Sequence, residues 1–164
     1  MDIFCYLSDD DVAHLSSNCR YQLYGPPERL LAQGQENESL FIIYQGSVDV
    51  YITAETGQFI KVASINAGQY FGEMSLLTGD SVSATIIVNT EAIIIEIDHS
   101  NMAVLFERRP ELIEKISEIV ILRKQHNEDI NASLLKEKNK EQVKLISRLA
   151  NRIRDYYKRV VQTK

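Results

Sequence analysis

The stretch at residues 71–86, FGEMSLLTGDSVSATI, decides the fold of this chain. Gly72 permits backbone angles and close approaches that a Cβ atom would forbid. Residues 74–77 fit one short helical turn, which the following Thr-Gly-Asp ends. The first amides of a helical turn have no partner within it, so its N-terminus favours an anion. With hydroxyls from Ser75 and Ser83, the stretch predicts a pocket for a phosphate beside a sugar hydroxyl.

On both sides of this stretch, short β-branched runs alternate with turns. The predicted strands are residues 20–24, 29–32, 40–44, 47–53, 59–65, 85–88 and 92–97. Within 47–53, Val and Ile alternate with Ser, Asp and Tyr, which is the period of a half-buried strand. Gly34, Gly46 and Gly68 are predicted turn glycines between strands. We therefore predict a mainly β fold with flanking helices, an antiparallel β-roll of the double-stranded jelly-roll type.

Helices are predicted at both ends of the chain. Ser8 suits the N-cap of a first helix, which the acidic residues after it favour. Residues 112–122 carry a broad apolar face, and residues 126–141 are polar. From residue 142 a basic amphipathic helix is predicted, and its apolar face comprises Val143, Ile146, Leu149, Ile153, Tyr156 and Val160. The predicted domains are residues 1–126 and the basic helical tail, residues 127–164.

Composition and charge limit the classes of function. The 164 residues are 45% apolar and 25% charged, as in an ordinary soluble domain, and no apolar run approaches the ~20 residues of a membrane helix. Residues 1–132 hold 8 Lys and Arg against 20 Asp and Glu, whereas residues 133–164 hold 10 against 3. For the basic tail, the favoured prediction is docking on its own domain or on a second subunit. Contact with an anionic membrane surface is the second alternative. Nucleic acid comes third.

No feature of the sequence predicts an enzyme. The three histidines are scattered, and there is no nucleophile elbow, no metal-ligand pair and no Walker-type loop. We therefore expect no catalytic residue, no metal and no cofactor. Residues 1–7 lack the basic region of a signal peptide, which favours a cytoplasmic location.

Residues 71–86 resemble the phosphate-binding cassette of the cyclic nucleotide-binding domain family. That pattern reads F-G-E, apolar, small, L, apolar, a variable turn, then P-R, small, A-T. The matching residues are Phe71, Gly72, Glu73, Met74, Ser75, Leu76, Leu77, Ser83, Ala84 and Thr85. In that family the glycine and the following amides hold the cyclic phosphate, the glutamate takes the ribose 2′-hydroxyl, and the arginine pairs with the phosphate. Residues 71–86 are named the cassette.

The resemblance covers roughly residues 8–125 and implies a bound ligand such as cAMP or cGMP. It also implies that the C-terminal helices act as a lid over the base, which brings Ile119, Leu122 and Arg123 near the pocket. The implied ligand-binding residues are Phe71, Gly72, Glu73, Met74, Ser75, Val82, Ser83, Ala84 and Arg123.

One departure from the family pattern weakens this implication. Ser81 stands at the proline position and Val82 at the arginine position. A charged hydrogen bond to phosphate contributes about 1.5–3 kcal/mol, so its loss weakens binding roughly ten- to a hundredfold. Residues 62–107 contain no Lys or Arg, so a replacement cation must come from elsewhere, such as Lys61, Arg123 or Lys124.

Three functions follow from these observations. The first is a regulatory ligand-sensing module that binds a cyclic nucleotide or a related small anion and moves its C-terminal helices. The second is a ligand-free interaction or oligomerisation module that has lost the phosphate arginine. The third is a Crp/Fnr-type regulator without its DNA-binding domain, since only 38 residues follow His126.

The order of elements also suggests a parent protein. It resembles the cytoplasmic C-terminal domain of bacterial cyclic-nucleotide-gated channels of the small-conductance mechanosensitive superfamily. That resemblance implies a place at the inner face of the plasma membrane. The C-terminal helices would then contact a second copy of the chain or the rest of the parent protein.

Overall fold

The computed structural model describes residues 4–54, 56–128 and 138–162, with side chains at 4–54, 56–122 and 144–159. Its elements are α1 (Asp9–Asn18), β1 (Arg20–Tyr24), β2 (Arg29–Leu31), β3 (Ser39–Thr53), β4 (Phe59–Asn66), β5 (Tyr70–Phe71), α2 (Glu73–Thr78), β6 (Thr85–Asp98), α3 (His99–Arg108), α4 (Leu112–Glu128) and α5 (Lys138–Gln162). The chain divides into two compact units. The β-roll unit comprises residues 15–101, and the helical unit comprises residues 1–14 and 102–164.

The strands of the β-roll unit form one antiparallel sheet. Their order is β1-β6-β3-β4, with β2 paired to β6 and β5 paired to β3. All the pairs run antiparallel. The predicted mainly β, antiparallel fold with flanking helices is therefore confirmed.

Two strands are longer than predicted. Strand β3 runs unbroken through Gly46, where a turn between two strands was expected. Gly46 has a φ of 86°, and the register between β3 and β6 shifts around it, which marks a bulge inside a strand. Strand β6 likewise continues through residues 89–91. The break at Gly46 is wrong because a glycine that bends a strand and one that ends it have the same local sequence signal. The break at residues 89–91, which hold no glycine, is wrong because Thr90 pairs with Ser47 of β3. Gly34 and Gly68 do lie in turns.

The interior of the β-roll unit is apolar and extends into the cassette. Its core cluster consists of Leu31, Phe41, Ile43, Val48, Ile65, Phe71, Val82, Ile86, Val88, Ala92 and Ile94. Phe41 and Phe71 stack with ring centroids 5.0 Å apart. Because three cassette residues, Phe71, Val82 and Ile86, belong to this cluster, the core fixes both ends of the cassette.

The helical unit is held by one buried ion pair and by an apolar helix face. Ser8 begins α1 as predicted, and its hydroxyl donates to the carboxylate of Asp11, 2.8 Å away. Arg109 also donates to that carboxylate, which is buried. Among the α5 side chains that the structure describes, residues 144–159, the buried ones are Leu149, Ala150, Ile153 and Tyr157.

Helix α5 packs on α3 and α4 within its own unit. Tyr157 meets Phe106 edge-on at 5.0 Å, and Arg154 donates to Glu114 at 2.6 Å. The predicted apolar face is therefore correct at Leu149 and Ile153, but Tyr157 is its fully buried tyrosine in place of Tyr156. The helix starts at Lys138, four residues before the predicted start.

The predicted division at residue 126 remains a prediction, since α4 continues through that position to Glu128. Residues 129–137, which belong to the predicted polar segment, lie outside the described residues. Across the parts of the chain that the structure describes, no helix is long and apolar enough to cross a membrane.

Candidate functional site

The cassette begins with a sharp turn from strand to helix at Gly72. Strand β5 pairs with β3, and Gly72 then takes a left-handed conformation with a φ of 83° as the N-cap of α2. A Cβ atom there would lie 2.7 Å from the carbonyl oxygen of Ser39 and 3.2 Å from a ring carbon of Phe41. Only glycine fits this position, because both the angle and the close approach exclude a side chain. The short helix that was predicted after Gly72 is α2, which ends at Gly79.

Asn37 holds the start of the cassette in place, a role that no local sequence signal indicated. Its side-chain nitrogen donates to the carbonyl oxygen of Ser39 at 2.7 Å and lies 3.4 Å from that of Gly72 and 3.5 Å from the hydroxyl of Ser75. The backbone amide of Ser39 donates back to the side-chain oxygen Oδ1 of Asn37 at 3.2 Å. Asn37 therefore joins the start of β3 to the start of α2.

We predict that Asn37→Ala lowers the free energy of unfolding by about 1–2 kcal/mol, because it leaves partly buried backbone groups without their partner. Urea unfolding followed by circular dichroism measures this loss. Asn89→Ala is the matched control, since Asn89 is exposed and makes one long contact, 3.4 Å, with Ser47. Equal losses in the two variants would contradict the role given to Asn37.

The predicted ligand-binding side chains differ in their exposure. Glu73, Met74 and Ala84 are half-buried, and Ser83 is exposed. Ser75 is buried at 4% exposure. A ligand that approaches from solvent can therefore reach the carboxylate of Glu73 and the hydroxyl of Ser83 more readily than that of Ser75. The binding roles of these residues remain predictions.

Val82, at the arginine position, lies in the core. It is 7% exposed and belongs to the apolar cluster of the β-roll unit. Its carbonyl accepts a hydrogen bond from the amide of Gly34 at 2.7 Å, and its amide donates to the carbonyl of Gln35 at 2.8 Å. These two bonds tie residue 82 to the turn at 34–35 and fix its position.

Lys61, one of the predicted replacement cations, is already engaged by Asp49. Its ammonium lies 2.8 Å from a carboxylate oxygen of Asp49, and the hydroxyl of Ser64 donates to the other oxygen at 2.8 Å. Burial alone would raise the pKa of Asp49, but the hydrogen bonds from Lys61 and Ser64 outweigh it and hold the pKa below its ordinary value. An ionised Asp49 keeps Lys61 in this pair.

The predicted contributions of the C-terminal helices stay predictions. Ile119 is buried and Leu122 half-buried within the helical unit. Arg123 and Lys124 lie in α4, but the structure describes only their backbone and not their side chains. Among the residues that are described, no three His, Cys, Asp or Glu side chains cluster in a way that could hold a metal ion.

Comparison with known proteins matches most of this chain to one family. Residues 22–109 match the family model described as "Cyclic nucleotide-binding domain". The cAMP-activated global transcriptional regulator CRP of Salmonella typhimurium is 28% identical over 111 residues, which are 67% of this chain and 53% of that protein. A provisionally named potassium channel protein of Rhodopseudomonas palustris is 24% identical over 72% of this chain and 28% of its own length. The chain thus spans about half the length of the CRP proteins that it matches.

Solved structures share the fold. The Thermus thermophilus catabolite activator protein superimposes with a TM-score of 0.68 at 24% identity, over 78% of this chain and 60% of its own. The regulatory subunit of a cAMP-independent protein kinase A from Trypanosoma cruzi, bound to guanosine, gives a TM-score of 0.59 at 22% identity, over 62% and 36% of the two chains. At these identities the likeness extends to the fold alone.

Proposed function

Because the chain belongs to the cyclic nucleotide-binding domain family, we propose that it is a regulatory module whose cassette binds a cyclic nucleotide or a related small ligand. Ligand binding would move the C-terminal helices and whatever they contact. We propose no catalytic step, since the CRP relative is named as a transcriptional regulator. The proposed binding of the ligand is reversible and needs no cofactor.

The geometry of the turn at Gly72 is the observation that carries this proposal. The backbone at residue 72 has space only for a glycine. Glu73, which is half-buried, follows directly after it. A carboxylate there can accept hydrogen bonds from the hydroxyls of a ribose ring. The T. cruzi structure, which shares the fold, holds guanosine, a molecule with such a ring.

The response to the ligand would be a shift between two positions of the C-terminal helices. A ligand can shift this equilibrium only by the difference between its affinities for the two states. In the helical unit, α5 is tied to α4 through Arg154 and Glu114, 2.6 Å apart. A movement of α4 would therefore be passed on to α5.

The wider setting is also a proposal. The match to a channel protein supports a parent channel, and we retain the small-conductance mechanosensitive superfamily as the proposed type. The module would then act in the cytoplasm at the inner face of the membrane, where the exposed basic residues of α5 suit an anionic surface. The match to CRP supports a transcription regulator as the other parent.

We expect the wild-type chain to bind cAMP and cGMP weakly, and Glu73→Ala to reduce the affinity at least tenfold, because the ribose loses its acceptor. Isothermal titration calorimetry measures both. Glu91→Ala is the control, since Glu91 is an exposed acid in the same unit. Affinity that is the same in all three proteins would refute a ligand site at the cassette.

A ligand-free interaction module is the second candidate, favoured by the exposed apolar side chains of the edge strand β4. Phe59 is 52% and Val62 50% exposed. Unpaired, apolar strand edges favour pairing with another chain. Sedimentation shows whether the chain self-associates, and a strictly monomeric chain without a partner would count against this candidate.

A further inference from the structure

The position that carries the phosphate arginine in the family is apolar and structurally fixed in this chain. Val82 is 7% exposed among core residues, and its amide and carbonyl both bond to the turn at 34–35. The backbone therefore has little freedom to rotate this side chain outward. A valine offers this position methyl groups in place of the cation that pairs with phosphate in the family.

The rest of the β-roll unit does not restore the missing charge. Residues 15–101 contain three basic side chains, Arg20, Arg29 and Lys61, against ten acidic ones. Lys61 pairs with Asp49 at 2.8 Å, and Arg20 lies 3.8 Å from Asp98. Arg29, the third, is exposed on β2. The unit therefore carries a strong excess of negative charge.

An anionic ligand and an uncharged one would meet this site very differently. Taking a phosphate from water into a partly buried site is costly unless a cation pairs with it. The carboxylate of Glu73, next to Gly72, would repel that phosphate. A sugar hydroxyl has no charge to desolvate and can donate to the same carboxylate.

We propose that the cassette selects an uncharged nucleoside over the corresponding cyclic nucleotide, and that Val82 sets this preference. The inference rests on the proposed function, since it names the class of ligand for the same site. Glu73 accepts from the ribose, and the apolar surface around Val82 takes the place of the phosphate contact. A phosphate adds repulsion from Glu73, and at position 82 it meets methyl groups in place of the family's arginine.

The direct test is calorimetric titration of the full chain with adenosine and guanosine beside cAMP and cGMP at one ionic strength. Each nucleoside is expected to bind at least ten times more tightly than its cyclic phosphate. Cyclic nucleotides that bind equally or more tightly would overturn the selectivity and leave the proposed sensor intact. If the folded chain binds none of the four, the sensor function itself fails.

Two variants test the cause of the preference. Val82→Arg is expected to raise the affinity for cAMP at least tenfold and to reverse the order of the two ligands, whereas Ser81→Arg adds the same charge at an exposed neighbouring position and should not. Glu73→Gln removes the repulsion between the carboxylate and the phosphate. It should therefore reduce the ratio of the affinity for the nucleoside to the affinity for the cyclic nucleotide. If Val82→Arg does not fold, the wild-type ratio and Glu73→Gln decide. A ratio of affinities that Val82→Arg leaves unchanged would refute the role of Val82.

Discussion

Replacement of Gly46 by alanine is expected to lower the free energy of unfolding by about 4 kcal/mol, which is a large share of the stability of a small domain. Gly46 lies inside β3 with a φ of 86°, which strains any residue with a Cβ atom. An added Cβ would also overlap the carbonyl oxygen of Glu91 and lie 2.7 Å from the Cα of Ala92. Because these are backbone atoms of the central strand β6, they cannot move aside without disturbing the sheet.

Gly68→Ala separates the two causes of this loss. Gly68 has nearly the same φ, 81°, but a Cβ there would have no atom within 4 Å. Its replacement should cost only about 1 kcal/mol, the strain of the left-handed backbone. Chemical unfolding of both variants measures the difference. Similar losses would mean that the close approach of β3 and β6 at Gly46 contributes little.

Asp11→Ala is expected to have the second largest effect, a loss of about 3 kcal/mol. Asp11 is 1% exposed. Its carboxylate accepts from the amide of Ser8 at 2.9 Å, from the hydroxyl of Ser8 at 2.8 Å and from Arg109. The substitution removes the carboxylate that accepts from Ser8 at the start of α1, and it leaves Arg109 without its buried partner. Asp10→Ala, an exposed acid of the same helix turn, should change stability by less than about 0.5 kcal/mol.

The ionisation of Asp11 also makes the stability of the protein depend on pH. Burial alone would raise the pKa of Asp11, but the hydrogen bonds from Ser8 and Arg109 outweigh it and hold the pKa below its ordinary value of 3.8. A carboxyl whose pKa is lower in the folded state stabilises the fold above its unfolded pKa, and this contribution is lost as the pH falls through the folded pKa. Wild type should therefore lose more stability on acidification below about pH 4 than Asp11→Ala does. Equal losses of stability in wild type and Asp11→Ala on acidification would contradict this prediction.

The local parts of the fold and of the site were predictable from the sequence. A glycine, a short apolar turn and a second glycine specified α2, because each of these signals acts over a few residues. The helix cap at Ser8 and the apolar face at Leu149 and Ile153 also follow from local spacing.

Contacts between distant residues were not predictable in the same way. Asn37 reaches Ser75 from 38 positions away, and nothing in the residues around it distinguishes it from other polar turn residues. The continuity of β3 and β6 depends on their pairing across the sheet, which lets Gly46 bend a strand that local rules would end. Tyr157 replaces Tyr156 in the buried face because its ring packs edge-on against Phe106 of α3.

The most direct test of the ligand site is a heteronuclear NMR titration of the ¹⁵N-labelled chain with adenosine and with cAMP at millimolar concentration. This experiment detects weak binding and locates it. The account predicts that the amides of Gly72 to Ser75 and of Ser83 to Thr85 shift most, and that adenosine saturates the shifts at lower concentration than cAMP. Cassette amides that stay unchanged with both compounds, or shifts confined to the helical unit, would contradict it.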